Sequence, residues 1–239
     1  VVYNWKNRTT DGGAHEVNFV NNFYKPGPAT TRFVALNAQY GGFNGSQRYY
    51  FAGNVMPGRF GLTNQNDGRI ASTERGGRLP TEYIPWSETP FFESFVNTHS
   101  AEEAYENVLE NVGCNFPVLD EHDKRILSEV RAGTAKFKGS TTGLPGLPDS
   151  QEDVGGWEEY PEIHRPAGWD TDGDGMPDDW EKLAGLNPDD PSDGNKTDRN
   201  GYTNLERYLG WLVGEFKVGP GMAGANPQGL SQPAASTRL

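Results

Sequence analysis

Acidic side chains recur at every second residue from Asp170 to Asp174, and the segment that they open ends at Glu181. A calcium-binding loop of twelve residues has this spacing, with oxygen ligands at positions 1, 3, 5, 7, 9 and 12 and a glycine at position 6. Without a cation, carboxylates packed so closely would repel one another. The pattern therefore predicts a Ca2+ site, and an acidic solvated turn is the alternative interpretation. The predicted ligands are Asp170, Asp172, Asp174, Met176 through its carbonyl, Asp178 and Glu181.

The residues around this segment predict a loop followed by a single helix. Pro177 can stand at the start of a helix, and an apolar pattern continues from there to Gly185. Pro166 and Gly168 interrupt any helix before the loop, so a complete helix–loop–helix pair is not expected. Because the loop has few apolar residues, we expect the metal to supply its folding energy and to act as a structural ion.

A second, degenerate loop is predicted at residues 198–204, ahead of a helix with an apolar face. In the register of the first loop, Lys196 takes the first ligand position and Arg207 the last. Two cations then stand where two anions are needed. We predict a structural counterpart that packs against the first unit, and metal binding at this loop is the alternative.

Residues 1–60 predict short strands separated by turns. The segment 16–21 alternates polar and apolar side chains, and 48–52 is rich in aromatic residues. Each of these strands is followed by an asparagine, Asn22 or Asn54, and then by a Pro-Gly turn. Strands that return at a constant interval and end in stacked asparagines are typical of a parallel β-helix. A β-sandwich is the alternative, since it also has short strands.

Helices are predicted for the middle of the chain. Ser100 and Glu103 form a capping-box pattern, and Gly113 ends that helix. Its apolar face is predicted to contain Ala101, Ala104, Tyr105, Val108, Leu109 and Val112. A second helix, near residues 121–131, would be capped by Asp120 or Asp123 and would bury Ile126, Leu127 and Val130.

These elements predict a mainly β protein in five segments. They are β-helix coils and loops at 1–99, two packing helices at 100–138, a linker at 139–168, the calcium loop and its degenerate counterpart at 169–218, and a tail at 219–239.

Composition narrows the possible partners. Among the 239 residues are 31 Gly and 17 Pro, which suits a fold rich in turns, and the net charge of -12 disfavours a nucleic acid partner. No apolar run is long enough to cross a membrane. Cys114 is predicted to be a small buried side chain, with one half of a disulfide as the alternative. Sequons at Asn7, Asn44 and Asn195 would fit glycosylation of a secreted protein.

Several strings of residues together resemble the pectate lyases of polysaccharide lyase family 1, in the branch that ends in an acidic calcium loop. They are spread in order over nearly the whole chain, and the string 21–30 is the most specific of them. The resembling segments are 1–5, 20–30, 129–134, 170–181 and 201–206.

The resemblance implies a right-handed parallel β-helix, secretion, and β-elimination of polygalacturonate or pectin. In that chemistry Ca2+ bridges enzyme and substrate carboxylate and acidifies the neighbouring proton, which an arginine removes. Arginine is a weak base at neutral pH because its pKa is so high, so the reaction depends on the metal and a constrained site.

No catalytic residue is assigned. The family's arginine stands in an Arg-x-Pro-Arg string, which is absent from this sequence. The chain is therefore expected to be the C-terminal half of a lyase, inactive alone and partnered by the N-terminal part of the same protein. The alternative is a non-catalytic, calcium-stabilised module that binds polysaccharide or protein. The arginines present, expected at the surface or the substrate rim, are Arg32, Arg48, Arg59, Arg69, Arg75 and Arg78.

Overall fold

The computed structural model describes residues 1–41, 45–115, 118–160, 162 and 164–216. The chain divides into two compact units, Val1–Asn115 with Leu119–Glu158, and Phe116–Val118 with Glu159–Leu239. The predicted tail and the sequon residue Asn44 lie outside the described residues.

All the strands of the described residues belong to the first unit. They are β1 (Val2–Tyr3), β2 (Thr10–Gly12), β3 (Glu16–Val20), β4 (Tyr24–Lys25), β5 (Leu36–Tyr40), β6 (Arg48–Ala52), β7 (Arg69–Thr73) and β8 (Trp86–Ser87).

The strands form three sheets in which every pairing between named strands is parallel. Their orders are β1–β4, β2–β5–β7 and β3–β6–β8. Successive segments of the chain therefore add strands to the three sheets in the same order. An isolated parallel bridge between Phe23 and Val55 continues the first sheet. This topology is compatible with the predicted parallel β-helix and differs from a β-sandwich, whose sheets are antiparallel. The right-handed winding stays a prediction.

The register between successive segments stacks aromatic side chains in the core. Phe19 pairs with Phe51, and their rings lie nearly parallel with centroids 5.6 Å apart. Tyr49 pairs with Trp86 at 6.1 Å. Side chains in register on one face of a sheet pack directly on each other, and aromatic pairs bury a large apolar area. The core of the first unit is therefore a column of rings between the sheets.

The asparagines stack as predicted. The Asn22 side chain donates to the Asn54 side chain across 32 residues. The left-handed backbone lies one residue before each stacked asparagine, at Asn21 (φ 53°) and Gly53 (φ 68°). The turn is therefore made by the residue before each stacked asparagine.

The first two helices are α1 (Ala101–Asn111) and α2 (Glu121–Ala132). The capping box of α1 is confirmed, and α2 is capped by Asp120, whose side chain accepts a hydrogen bond from the Asp123 amide. The prediction that α2 buries Ile126 was wrong, and two residues on the apolar face predicted for the first helix are also exposed. These side chains are more than a third exposed because α1 and α2 each bury a narrower stripe, and they are Val108, Val112 and Ile126.

Residues 139–158, predicted as part of a linker, pack within the first unit and contain a 3₁₀ helix at Gln151–Val154. The carboxylate of Asp153 accepts hydrogen bonds from the amides of Ser140, Asp149 and Ser150. These bonds hold two turns together and lower the pKa of Asp153 to about 2. Cys114 is exposed, so the expectation of a small buried side chain was wrong.

The second unit contains α3 (Asp178–Ala184) and α4 (Asn204–Leu212). Helix α3 follows Pro177 and ends at Gly185 with a φ of 77°, as the sequence predicted. Helix α4 begins at a capping box between Thr203 and Glu206. The two helices share a core, and its most buried residues are Met176, Trp180 and Tyr208.

Candidate metal centre

The predicted calcium loop folds around its own carboxylates. The two oxygens of Asp170 accept hydrogen bonds from the amides of Gly173 and Gly175, at 2.8 and 3.0 Å. Both glycines have positive φ, 76° and 96°, which residues with a Cβ adopt only at a cost. The spacing of the sequence therefore produces a tight turn with its carboxylates on the inside.

The turn brings together two overlapping groups of acidic side chains. Asp170, Asp172 and Asp174 form the first group, and each offers an oxygen within 4.8 Å of the others. By the same measure Asp174 belongs to a second group, with Glu181 and Asp193. Because Asp174 is shared, we treat the two groups as one acidic cluster of five side chains.

Several oxygens of the acidic cluster have no hydrogen-bond partner within the described residues. Glu181 is fully buried, at 0% exposure, and both of its oxygens are without a partner. The others are one oxygen each of Asp172, Asp174 and Asp193. A buried carboxylate without a donor is costly unless it is protonated or binds a cation. The donor set is all oxygen, which is the set that Ca2+ prefers, so these residues fit the ion.

The electrostatics of the cluster indicate the same need for a cation. Burial, together with the smaller effect of the neighbouring carboxylates of Asp172, Asp174 and Asp193, raises the pKa of Glu181 to about 7. Burial also raises the pKa of Asp174, partly offset by a hydrogen bond from the Met176 amide. Carboxylates that repel one another in this way would be stabilised by a bound divalent ion.

The carboxylate of Asp178, a predicted ligand, is hydrogen-bonded to Thr171. Its two oxygens accept hydrogen bonds from the amide and the hydroxyl of Thr171, at 2.7 and 2.8 Å, and Lys182 lies 3.8 Å away. These bonds lower its pKa. Asp178 belongs to neither acidic group among the described residues, so its direct role as a ligand, like that of the Met176 carbonyl, stays a prediction.

Asp193 is the member of the cluster that lies outside the predicted loop 170–181. It is 4% exposed, and one of its oxygens accepts a hydrogen bond from the Asn187 amide at 3.0 Å. It follows Glu181 in the sequence, beyond the end of the twelve-residue pattern, and so lies outside any local template. A second cluster of aspartates, at Asp189, Asp190 and Asp193, was the only signal available for it.

The charged side chains of the degenerate loop form ion pairs within the second unit. Asp198 accepts hydrogen bonds from the amides of Asn200 and Tyr202, and the Arg207 guanidinium lies 3.9 Å from it. Lys196 pairs with Asp190 at 3.1 Å. The two cations that replace ligands thus have anionic partners within the second unit. This arrangement supports the prediction that the loop is structural.

The remaining predicted site residues lie at the surface or beside aromatic rings. The sequon residues Asn7 and Asn195 are exposed. Three arginines of the first unit lie over rings, Arg48 over Phe91, Arg59 over Phe33 and Arg69 over Trp86. Within the described ranges, no helix has the length and apolar character needed to cross a bilayer.

Comparison with known proteins places the chain near one enzyme class. No family model matches. The chain is 28% identical over 225 residues to a protein of Neosartorya fischeri named probable pectate lyase C, covering 89% of this chain and 47% of that protein. Proteins of the same name from Emericella nidulans and Aspergillus fumigatus are 29% and 28% identical, over 90% and 89% of this chain and 47% of their own lengths. The matches support a relation to pectate lyases. The chain spans about half the length of the curated relatives it matches.

Proposed function

We propose that this chain forms the C-terminal part of a secreted pectate lyase, which cleaves polygalacturonate by calcium-dependent β-elimination. The observation that carries the proposal is the set of three parallel sheets with the Asn22–Asn54 stack, in a chain whose matches to proteins named pectate lyase cover 89–90% of it. The relation to the branch with an acidic calcium loop rests on the resemblance and on the acidic cluster.

The residues of this chain are assigned positioning and structural roles. The stacked coils of the first unit would extend the β-helix on which a substrate-binding face is built. The acidic cluster of the second unit would hold one Ca2+ through Asp170, Asp172, Asp174 and Glu181, which would lower the repulsion among buried carboxylates. No catalytic residue is assigned to this chain, because the Arg-x-Pro-Arg string is absent from it.

The test of the proposal uses the whole protein from which the chain derives. Purified protein is incubated with polygalacturonate in calcium and, separately, in chelator, and the unsaturated product is followed by its ultraviolet absorbance. We expect product only in calcium, and none from the 239-residue chain alone. Absence of product from every pectic substrate would contradict the proposal, and activity of the isolated chain would show that it contains the catalytic base.

A non-catalytic module is the second candidate, and the independent core of the second unit favours it. Met176, Trp180 and Tyr208 form that core without residues of the sheets. A whole protein that binds polygalacturonate in a pull-down but releases no unsaturated product would support this candidate over the lyase.

A further inference from the structure

Asp193 and the glycine after it approach the calcium loop from outside the twelve-residue pattern. One oxygen of Asp193 lies within 4.8 Å of oxygens of Asp174 and Glu181. A Cβ placed on Gly194 would lie 2.5 Å from the nearer oxygen of Asp174. The segment that joins α3 to α4 is thus in van der Waals contact with a predicted ligand of the ion.

The hydrogen-bond pattern distinguishes this contact from a cluster of exposed acids. One oxygen of Asp193 is held by the Asn187 amide, and the other is without a partner among the described residues, although the side chain is only 4% exposed. Glu181, whose carboxylate lies close to that of Asp193, is fully buried, and neither of its oxygens has a hydrogen-bond partner among the described residues. Two buried anions this close together, whose three remaining oxygens lack donors among the described residues, require a cation between them or the loss of a charge.

The backbone beyond Asp193 connects the cluster to α4. The Asp193 carbonyl accepts a hydrogen bond from the Asn204 side chain at 2.8 Å, and the Gly194 carbonyl accepts one from the Leu205 amide at 3.1 Å. Asn204 and Leu205 are the first residues of α4. Any force that holds Asp193 in place therefore also holds the start of this helix.

We propose that Asp193 is a ligand of the same Ca2+ ion as the loop 170–181, and that the ion thereby ties the degenerate loop and α4 to the first loop. The inference rests on the proposed calcium site and adds a ligand to it. In the degenerate loop, Lys196 and Arg207 stand at the first and last ligand positions of the twelve-residue pattern. Through Asp193 the second loop–helix gains metal-dependent order without binding an ion of its own.

The first experiment measures calcium affinity by titration calorimetry on the 239-residue chain and its variants. Asp193→Asn removes one charge from the cluster, and we expect the Kd for Ca2+ to rise about tenfold or more, because calcium affinity follows the charge of the ligand set. The matched control is Asp189→Asn, an exposed position of the same segment, which should leave the Kd unchanged. Glu181→Gln serves as the reference for loss of a loop ligand.

A second variant perturbs the contact without changing charge. Gly194→Ala adds a methyl group beside the Asp174 oxygen, and φ at this glycine is not positive, so the backbone tolerates alanine. We expect weaker calcium binding with an unchanged far-ultraviolet circular dichroism spectrum in chelator. Gly61→Ala is its control, because nothing lies within 4 Å of the added Cβ and φ there is also not positive.

Hydrogen exchange measures how calcium binding affects the start of α4. Calcium should slow exchange at the amides of Asn204 and Leu205 in the parent chain, and Asp193→Asn should abolish that effect at any calcium concentration that still saturates the loop. If the parent chain binds calcium and Asp193→Asn binds it with the same Kd, the inference is overturned while the calcium site stands. If the parent chain binds no calcium, both the site and the inference are overturned. Loss of lyase activity in the whole protein bears on neither result.

Discussion

The side-chain oxygen of Asn54 accepts two hydrogen bonds from Asn22, one from the backbone N–H and one from the side-chain nitrogen, both at 2.9 Å. Its own side-chain nitrogen donates to the carbonyls of Phe19 and Ala52. Asn54 is fully buried, at 0% exposure. One amide side chain thus satisfies backbone groups of two successive segments at the point where both leave a sheet.

Replacing Asn54 by alanine should lower the free energy of unfolding by about 3 kcal/mol, because it leaves buried donors and acceptors without partners. Denaturant unfolding followed by circular dichroism measures the change. The control is Asn66→Ala, an exposed asparagine of the same unit, for which we expect a loss of about 0.5 kcal/mol or less. Equal losses for the two variants would show that the stack contributes nothing.

Gly53 is expected to tolerate alanine far less well than Gly58. Both have positive φ, 68° and 74°, so alanine costs about 1–2 kcal/mol at either position for the left-handed backbone. A Cβ at Gly53 would also meet the side-chain oxygen of Asn21, whereas nothing lies within 4 Å at Gly58. We expect Gly53→Ala to destabilise the chain by about 1–3 kcal/mol more than Gly58→Ala in parallel denaturant titrations. A reversed order would contradict the positions of these turns.

The double variant Asp170→Ala/Glu181→Ala should lose more stability in calcium than in chelator, where only the hydrogen bonds from Gly173 and Gly175 to Asp170 are lost. At a calcium concentration one hundred times the Kd, a bound ion stabilises the folded state by about 2.7 kcal/mol, and the variant forfeits this. Differential scanning calorimetry in both conditions provides the measurement. Asp198→Ala is the control, because Asp198 is held by amides and Arg207, and it should lose the same amount with and without calcium. The structural role of the ion would be refuted by a double variant that behaves like this control.

Asp153 should stabilise the first unit in a pH-dependent way. Hydrogen bonds from Ser140 and Asp149 lower its pKa from 3.8 to about 2. A carboxyl group with a depressed pKa stabilises the folded state above its unfolded pKa, and the stabilisation is lost as the pH falls through the folded value. The difference in unfolding free energy between the parent chain and Asp153→Asn should therefore be constant above about pH 5, decrease as the pH falls, and be lost below about pH 2. A difference that stays constant from about pH 5 to below about pH 2 would contradict the stabilising role of these hydrogen bonds.

Local patterns were sufficient for the elements whose physics is local. The spacing from Asp170 to Asp174 predicted a turn with its carboxylates inside, because these aspartates accept hydrogen bonds from amides of the same loop. The capping box at Ser100 depends only on residues 100–103, and the structure confirms it. The return of an asparagine and a Pro-Gly turn after 32 residues predicted the stack of Asn22 on Asn54, since an identical position in each coil requires an identical residue.

Only the tertiary structure decided what depends on partners distant in the chain. Ile126 fits the apolar pattern of α2 but is 47% exposed, because a helix buries only the stripe that its neighbours cover. The left-handed turn falls on Asn21 and Gly53, one residue before the asparagines Asn22 and Asn54 that stack on each other. Asp193 enters the acidic cluster because α4 holds the carbonyls of residues 193 and 194, and no spacing rule within the loop contains that contact.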